Sequence, residues 1–307
     1  MARYARLTTV SWSPRKEAEG AQQQESNRRQ AVEMIDRAAK DSSDLVCMPE
    51  IFAQRHLTSE AYERWAEPIP GPTTDAVGEA CRRNNCYAVA TTIEERDGRL
   101  YNAAALLDRA GEIVGVYHKM RPTRGELENG ITPGSDAPAF ETDFGVVGFA
   151  ICFDMNFPEV AQRLQENGAR CVLWPSMYEA GRQLEFWAEE FGFYVVSSWG
   201  GQINSIIDMT GTPLVRTGYQ YPIASADVNF DRECYHQDEN RRHWDAIREK
   251  YGRGVSLSIP HPEGKFTLAS EMDDVTIEDI EAEFSLETWR DYRRDALNKI
   301  LAATPGE

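Results

Sequence analysis

The chain has 307 residues, 41% hydrophobic and 10% aromatic, enough apolar material for one large α/β domain or two smaller ones. Its 33 Lys and Arg against 50 Asp and Glu give a formal charge of -17 and a pI near 4.8. That balance has the wrong sign for a nucleic acid or an anionic membrane as partner, and no stretch approaches the ~18 apolar residues of a membrane span.

The opening "MARYARLTTVSWSP" lacks the apolar core of a signal peptide, so a cytoplasmic protein is expected. "ARLTTVSW" reads as a strand, and Ala31, Ile35 and Ala38 mark a helix. "DLVCMPE" (44–50) is a strand apolar on both faces that finishes on Glu50. After the Pro- and Gly-rich "EPIPGPTT" come a helix in "TTDAVGEACRRNN" and the strands "YAVATTIEE", "YNAAALLD" and "EIVGVYHK", whose short turns suggest some antiparallel pairing.

The second half repeats the rhythm with the strand "FGVVGFAIC", the helix "FPEVAQRLQENG", the strand "ARCVLWPS" and the helix "LEFWAEEFG". The strands "FYVVSSW", "NSIIDMTGTPLV" and "YPIASADVN" come next. A sheet-containing α/β sandwich over residues 1–260 is expected, without a linker inside it. From 261 to 307 the chain turns acidic and then helical, with Trp289, Tyr292, Ala296, Leu297, Ile300 and Leu301 on one face and Ser285 as N-cap. This extension reads as a docking helix or a subunit arm.

Three of the apolar strands deliver chemistry at their ends: Glu50, Lys119 and Cys152. A thiol attacks as thiolate, so it needs a base or a cation beside it. Glu50 serves as the base, and Lys119 and the Phe153 backbone N–H serve the oxyanion that forms on attack at a carbonyl or nitrile carbon. The six cysteines contain no CxxC pair and the five histidines no HExxH or HxH spacing, so reduced thiols and no metal or other cofactor are expected. A Cys-His pair through His118 is disfavoured because neighbours on a strand face opposite sides, and no GxSxG element is present.

On "DLVCMPE", "VYHKMRPT" and "GFAICFDMNFPEVAQRL", the chain resembles the carbon-nitrogen hydrolase (nitrilase) superfamily, over roughly residues 4 to 230. The resemblance implies a four-layer αββα sandwich pairing into a homodimer, and a Glu-Lys-Cys triad of Glu50, Lys119 and Cys152. It also implies a second glutamate after K-x-x-P-T. Glu126 is the first choice and Glu128, favoured by alignment on "ITPG", the second. Phe153 and Tyr178 are expected beside the substrate, with Trp174 or Met155 near the rim.

"CFD" resembles the amidase and carbamoylase branches, whereas "PTRGE" resembles nitrilases. The expected substrate is a small linear amide, with a nitrile or an N-carbamoyl compound as the alternative and a silent scaffold that binds partners as a rival from another class. Met155 and Asn156 stand where carbamoyl-amino-acid hydrolases carry arginines that hold a carboxylate. A neutral or cationic substrate is therefore expected, unless Arg124 or Arg182 supplies the clamp from another direction. Phe191 replaces an asparagine common in the family after the position of Glu190.

Overall fold

Alternating apolar and helical segments become two six-stranded sheets covered by helices in the computed structural model, which describes residues 4–259 and 264–304. The first half of the chain supplies β1 (Tyr4–Val10), α1 (Gly20–Ala39), β2 (Leu45–Cys47), α2 (Tyr62–Trp65), α3 (Pro72–Asn84), β3 (Tyr87–Arg96), β4 (Arg99–Leu107), β5 (Ile113–His118) and α4 (Arg124–Glu128). The second supplies β6 (Ala139–Glu141), β7 (Val146–Phe149), α5 (Pro158–Glu166), β8 (Cys171–Pro175), α6 (Arg182–Phe191), β9 (Tyr194–Ser198), β10 (Ser205–Ile207), β11 (Pro213–Arg216) and β12 (Ile223–Asn229). The sheet orders are β12-β1-β2-β3-β4-β5 and β11-β10-β9-β8-β7-β6.

Strand alternation explains the layers. Leu45 and Cys47 of β2 point into the core between the sheets with Val89, Leu106, Phe149 and Leu173, whereas Val46 points the other way, against Ala31 and Ile35 of α1 and Val77 of α3. A strand buried on both faces has no polar face to show, which is why "LVCM" carries no alternation. Leu164 of α5 and Trp187 of α6 cover the second sheet. The result is the four-layer αββα sandwich.

Direction sets where the site forms. β1, β2 and β3 run parallel, and the antiparallel pairs β3/β4 and β4/β5 reverse twice, so β5 points the same way as β2. Glu50 and Lys119 thus leave the first sheet at the same end.

The C-terminal part comprises β13 (Arg232–His236), α7 (Gln237–Asn240), α8 (Trp244–Tyr251), β14 (Val255–Ser258), β15 (Lys265–Ser270), α9 (Ile277–Phe284) and α10 (Trp289–Ala303). β13, β15 and β14 form an antiparallel sheet with its own small core of Tyr235, Ile247, Phe266, Leu268, Ile277 and Ile280. The boundary expected at residue 260 is itself outside the described residues, but it falls between β14 and β15, which pair with each other. β13 is a strand of the same small sheet.

Thr288, not Ser285, caps α10 by accepting a hydrogen bond from the Asp291 N–H at 3.1 Å. Ser285 adopts a left-handed φ of 52° and ends α9. Trp289 and Tyr292 dock on His236, while Leu297, Ile300 and Leu301 stay exposed. No helix among the described residues is long and apolar enough to cross a membrane.

Candidate active site

Glu50 follows Pro49, whose carbonyl accepts the Thr91 hydroxyl at 2.5 Å, and precedes Ile51 with a φ of 37°. That turn buries the carboxylate to 3% exposure. Glu50 Oε1 accepts from Lys119 Nζ at 2.8 Å and from Asn102 Nδ2 at 2.7 Å. Its Oε2 is buried and takes no hydrogen bond from another of the described residues. An open acceptor of this kind suits a group that receives a proton.

Lys119 lies one residue past β5, its N–H held by the Asn102 carbonyl at 2.9 Å. Its ammonium also donates to Glu126 Oε1 at 3.0 Å and Oε2 at 2.8 Å. Burial alone would push this ammonium down, but the charges of Glu50 and Glu126 outweigh it and hold Lys119 above its ordinary value. Burial works against Glu126 as well, yet Lys119, Asn102 and the Thr123 N–H bring its carboxyl below the usual range.

A capping box aims Glu126: Thr123 Oγ1 accepts the Glu126 N–H at 3.2 Å and Glu126 Oε2 accepts the Thr123 N–H at 2.7 Å. Glu128 is two residues further round the same helix, and its side chain is 68% exposed and paired with Arg124 at 3.6 Å. The geometry brings Glu126 to the lysine and leaves Glu128 in solvent.

Cys152 arrives from the second sheet three residues after β7, at a φ of 49° that few residues other than glycine adopt. Asp154, fully buried, grips this turn: Oδ2 accepts the Ile151 N–H at 2.8 Å and the Tyr117 hydroxyl at 2.7 Å, and Oδ1 accepts the Arg121 N–H at 2.8 Å. One carboxylate therefore ties the cysteine turn to both sides of Lys119. Trp174 Nε1 donates to the Cys152 carbonyl at 3.1 Å. Burial, followed by the charge of Glu50, pushes the Cys152 thiol up to about 12, against the opposing pull of Lys119 and of the Met177 backbone N–H that faces the sulfur. The resting group is a thiol beside a carboxylate, not a free thiolate.

The remaining expected residues divide. Phe153 is half-buried with its ring edge-on to Phe157 at 5.3 Å. Tyr178 is half-buried against Trp174 at 5.2 Å, its hydroxyl near Asn156 and Gln183. Met155 is a core residue and not part of a rim, because the turn that exposes Asn156 directs its neighbour inward. His118 stacks on Tyr101 at 4.1 Å and reaches Glu94 at 2.5 Å. Arg124 is 92% exposed, and Arg182 is exposed at the start of α6. Phe191 lies under the Arg293 guanidinium, which pairs with Glu190 at 3.1 Å, so this pair anchors α10.

Sequence reasoning missed Asn102, which bridges Glu50 and Glu126 at 2.7 Å each. A lone Asn at the head of "YNAAALL" was its signal. Asp154 and Met177 carried none by themselves. The T-x-x-E of "TRGE" is a capping-box pattern that distinguishes Glu126 from Glu128.

A cleft of about 100 Å3 opens beside Glu50, walled by Trp12, Phe52, Met177 and Trp199. The fold is shared with the amidase from Nesterenkonia sp., at a TM-score of 0.61 and 19% identity over 74% of this chain and 90% of that one. It is shared too with Saccharomyces cerevisiae Nit3, described as a member of branch 10 of the nitrilase superfamily, at a TM-score of 0.64 and 17% identity over 81% and 94%. These likenesses define a nitrilase-type αββα protein. Residues 13–198 match the family described as carbon-nitrogen hydrolase, and the chain belongs to it. It is 30% identical to the nitrilase homolog 2 of Dictyostelium discoideum over 165 residues, 50% of this chain and 50% of that protein, so the match spans about half of the relative's length. It is 24% identical to the omega-amidase NIT2 of Mus musculus over 234 residues, 67% of this chain and 84% of that one.

Proposed function

We propose that the chain hydrolyses a small linear amide through an acyl-thioester on Cys152, without a cofactor. The observation that carries this reading is the open Oε2 of Glu50 beside a neutral thiol, with Lys119 fixed between Glu50 and Glu126. Glu50, Glu126, Lys119 and the thiol sum to one negative charge. When the thiol attacks the amide carbon, its proton passes to Glu50 and the carbonyl oxygen takes up the negative charge. The cluster's total stays the same while the charge moves from Glu50 to the oxyanion, held by Lys119 and the Phe153 N–H.

Collapse expels ammonia or an amine, protonated by Glu50. Water then gives its hydroxyl to the thioester carbon and its proton to Glu50, which returns it to the departing sulfur. Glu126 and Asn102 hold Lys119 and Glu50 in place. Phe153 and Tyr178 flank the substrate. Exposed Leu297, Ile300 and Leu301 support a homodimer built through the C-terminal arm, which light scattering tests.

The test is ammonia release from a panel of small amides, nitriles and N-carbamoyl compounds, with hydroxylamine added to trap the acyl-thioester as a hydroxamate. Release from amides with hydroxamate formation is the expected result. Turnover confined to nitriles or carbamoyl compounds selects the alternative chemistries, and no turnover with any member supports a silent scaffold.

A further inference from the structure

Two of the six cysteines are brought together by the way one helix stops. α3 is followed by Asn85, left-handed at a φ of 52°, whose N–H bonds back to the Cys81 carbonyl. The next N–H, that of Cys86, reaches the same carbonyl at 3.2 Å. A helix end of this kind turns the last residues of the helix and the second residue past it toward one another, often with an apolar contact between them. In "CRRNNC" those two places hold thiols, and the Cys81 thiol donates a hydrogen bond to the Cys86 sulfur. A disulfide requires Cα atoms about 4.4–6.8 Å apart with converging side chains, and two residues joined through one backbone hydrogen bond lie within that reach.

The pair is chemically uneven. The hydrogen bond from Cys81, helped by the charge of Arg109, holds the Cys86 thiol below its ordinary value against burial and the charges of Asp36 and Asp44. Arg109 is fixed there because its Nη1 donates to the Asn85 carbonyl at 2.7 Å. Cys81 is pushed up, by its bond to Cys86 and by burial. Both are 0% exposed among Ala38, Val77 and Ala80, yet the turn that joins them presents Arg82, Arg83 and Asn85 to solvent. Helix ends fray, so the opening of one turn uncovers both sulfur atoms. Cys47 and Cys171 are buried as deeply, with burial pushing both thiols up, but they lie on the central strands β2 and β8.

We propose that Cys81 and Cys86 are an oxidation site, a dithiol that hydrogen peroxide closes to a disulfide with Cys86 as the attacking sulfur. The Cys86 sulfur bonds to one peroxide oxygen, the O–O bond breaks, and the expelled hydroxide takes the Cys86 proton and leaves as water. The Cys81 sulfur then bonds to the sulfur of the resulting sulfenic acid, the S–O bond breaks, and a second hydroxide leaves as water with the Cys81 proton. The thiols lose one electron pair and the peroxide gains it. The link ties the end of α3 to the start of β3, where Tyr87 pairs with Leu45. Thr91, which holds the Pro49 carbonyl before Glu50, lies further along that strand, so the site is separate from Cys152 and independent of the amide reading.

The experiment treats the full chain carrying Cys152→Ala, which removes the catalytic thiol, with hydrogen peroxide in native buffer. Remaining thiols are then blocked with N-ethylmaleimide in denaturant and tryptic peptides are mapped. Cleavage after Arg82 and Arg83 separates the two cysteines, so the disulfide joins two peptides that dithiothreitol parts. That joined pair is expected to form at least about tenfold faster than any oxidation at Cys47 or Cys171. Adding Cys81→Ser should stop Cys86 at the sulfenic acid, which dimedone traps, whereas in Cys86→Ser the Cys81 thiol should react at least about tenfold more slowly. Absence of the joined peptides, joining no faster than oxidation of Cys47 and Cys171, or dimedone capture on Cys81 at the rate found for Cys86 overturns the proposal. If a serine variant fails to fold, mapping of the parent chain decides the disulfide by itself.

Discussion

Lys119 Nζ stands 2.8 Å from Glu50 Oε1 with both side chains almost wholly out of water. Removing such charges from solvent costs several kcal/mol per ion, so a lone buried pair is seldom a stability device. Here a second carboxylate, Glu126, joins Glu50 on the ammonium, and the Asn102 amide donates to both carboxylates while Glu50 Oε2 stays open. The arrangement leaves one excess negative charge beside the thiol, and burial first, with that charge second, keeps Cys152 protonated.

Cys152→Ala is expected to lower turnover by ~10^4-fold or more while shifting Tm by only a few degrees, since one sulfur atom leaves a buried site. Ammonia release and a thermal melt on the same preparation check both halves. Turnover near the wild-type rate would end the assignment of the nucleophile.

Glu126→Gln leaves Lys119 with a single carboxylate partner and should reduce kcat by about 100-fold. Glu128→Gln, at an exposed position paired only with Arg124, should stay within about twofold. Steady-state kinetics of the two variants side by side distinguish the glutamates, and the reverse order would contradict the geometry.

Alkylation by iodoacetamide should rise about tenfold per pH unit from pH 6 to 9 without a plateau, because a thiol pushed up to about 12 supplies thiolate in proportion to hydroxide over that interval. Glu50→Gln removes a negative charge that raises this value, so the sign is fixed: more thiolate at each pH, faster alkylation, and lost turnover. Peptide mapping should find Cys152 first, since it is 7% exposed whereas Cys234 is 3% and the other four are 0% exposed. Slower alkylation in Glu50→Gln would show that Glu50 does not set the thiol's charge.

Asp154→Asn places an amide donor where the Ile151, Arg121 and Tyr117 donors converge. A loss of about 1–3 kcal/mol in stability is expected, with kcat reduced more than KM is changed. Burial pushes the Asp154 carboxyl up to about 6. A carboxyl held above its unfolded value costs stability as pH rises from about 4 to about 6, the interval between the two states' values. Urea melts of wild type and Asp154→Asn at pH 4, 5 and 7 should show stability falling more, or rising less, with pH in wild type than in the variant. Parallel curves would place the titration elsewhere.

Preincubation with EDTA should leave turnover unchanged, because no step needs a metal. Loss with EDTA that zinc restores would overturn the cofactor-free mechanism.

Much of the first sheet's chemistry was legible in the chain itself. "DLVCMPE" and "FGVVGFAIC" are continuous apolar runs, and a run with no polar face belongs beside parallel neighbours, where the carboxyl ends of the strands face the ligand crevice. "EIVGVYHK", by contrast, is an antiparallel edge strand that ends just before Lys119. Glu50, Lys119 and Cys152 could thus be placed at strand ends from local pattern alone. The composition shift near 260 is real, but β14 and β15 pair across it and β13 belongs to the same small sheet. Strand pairing across thirty residues leaves no local mark.

What only tertiary structure decided is which polar groups meet. Asn102 touches two carboxylates because β4 lies beside β5, and Asp154 reaches Tyr117 and Arg121 because the two sheets stack. The charge state of Cys152 is likewise non-local, since burial and the field of Glu50 outweigh Lys119 only at the distances the packed core imposes. Arg55 is a similar case: sequence shows an arginine in a polar loop, and only folding brings it to the cleft that Glu50 lines. Residue type and periodicity are written along the chain, whereas electrostatics depends on separations and desolvation that exist only once the layers have closed.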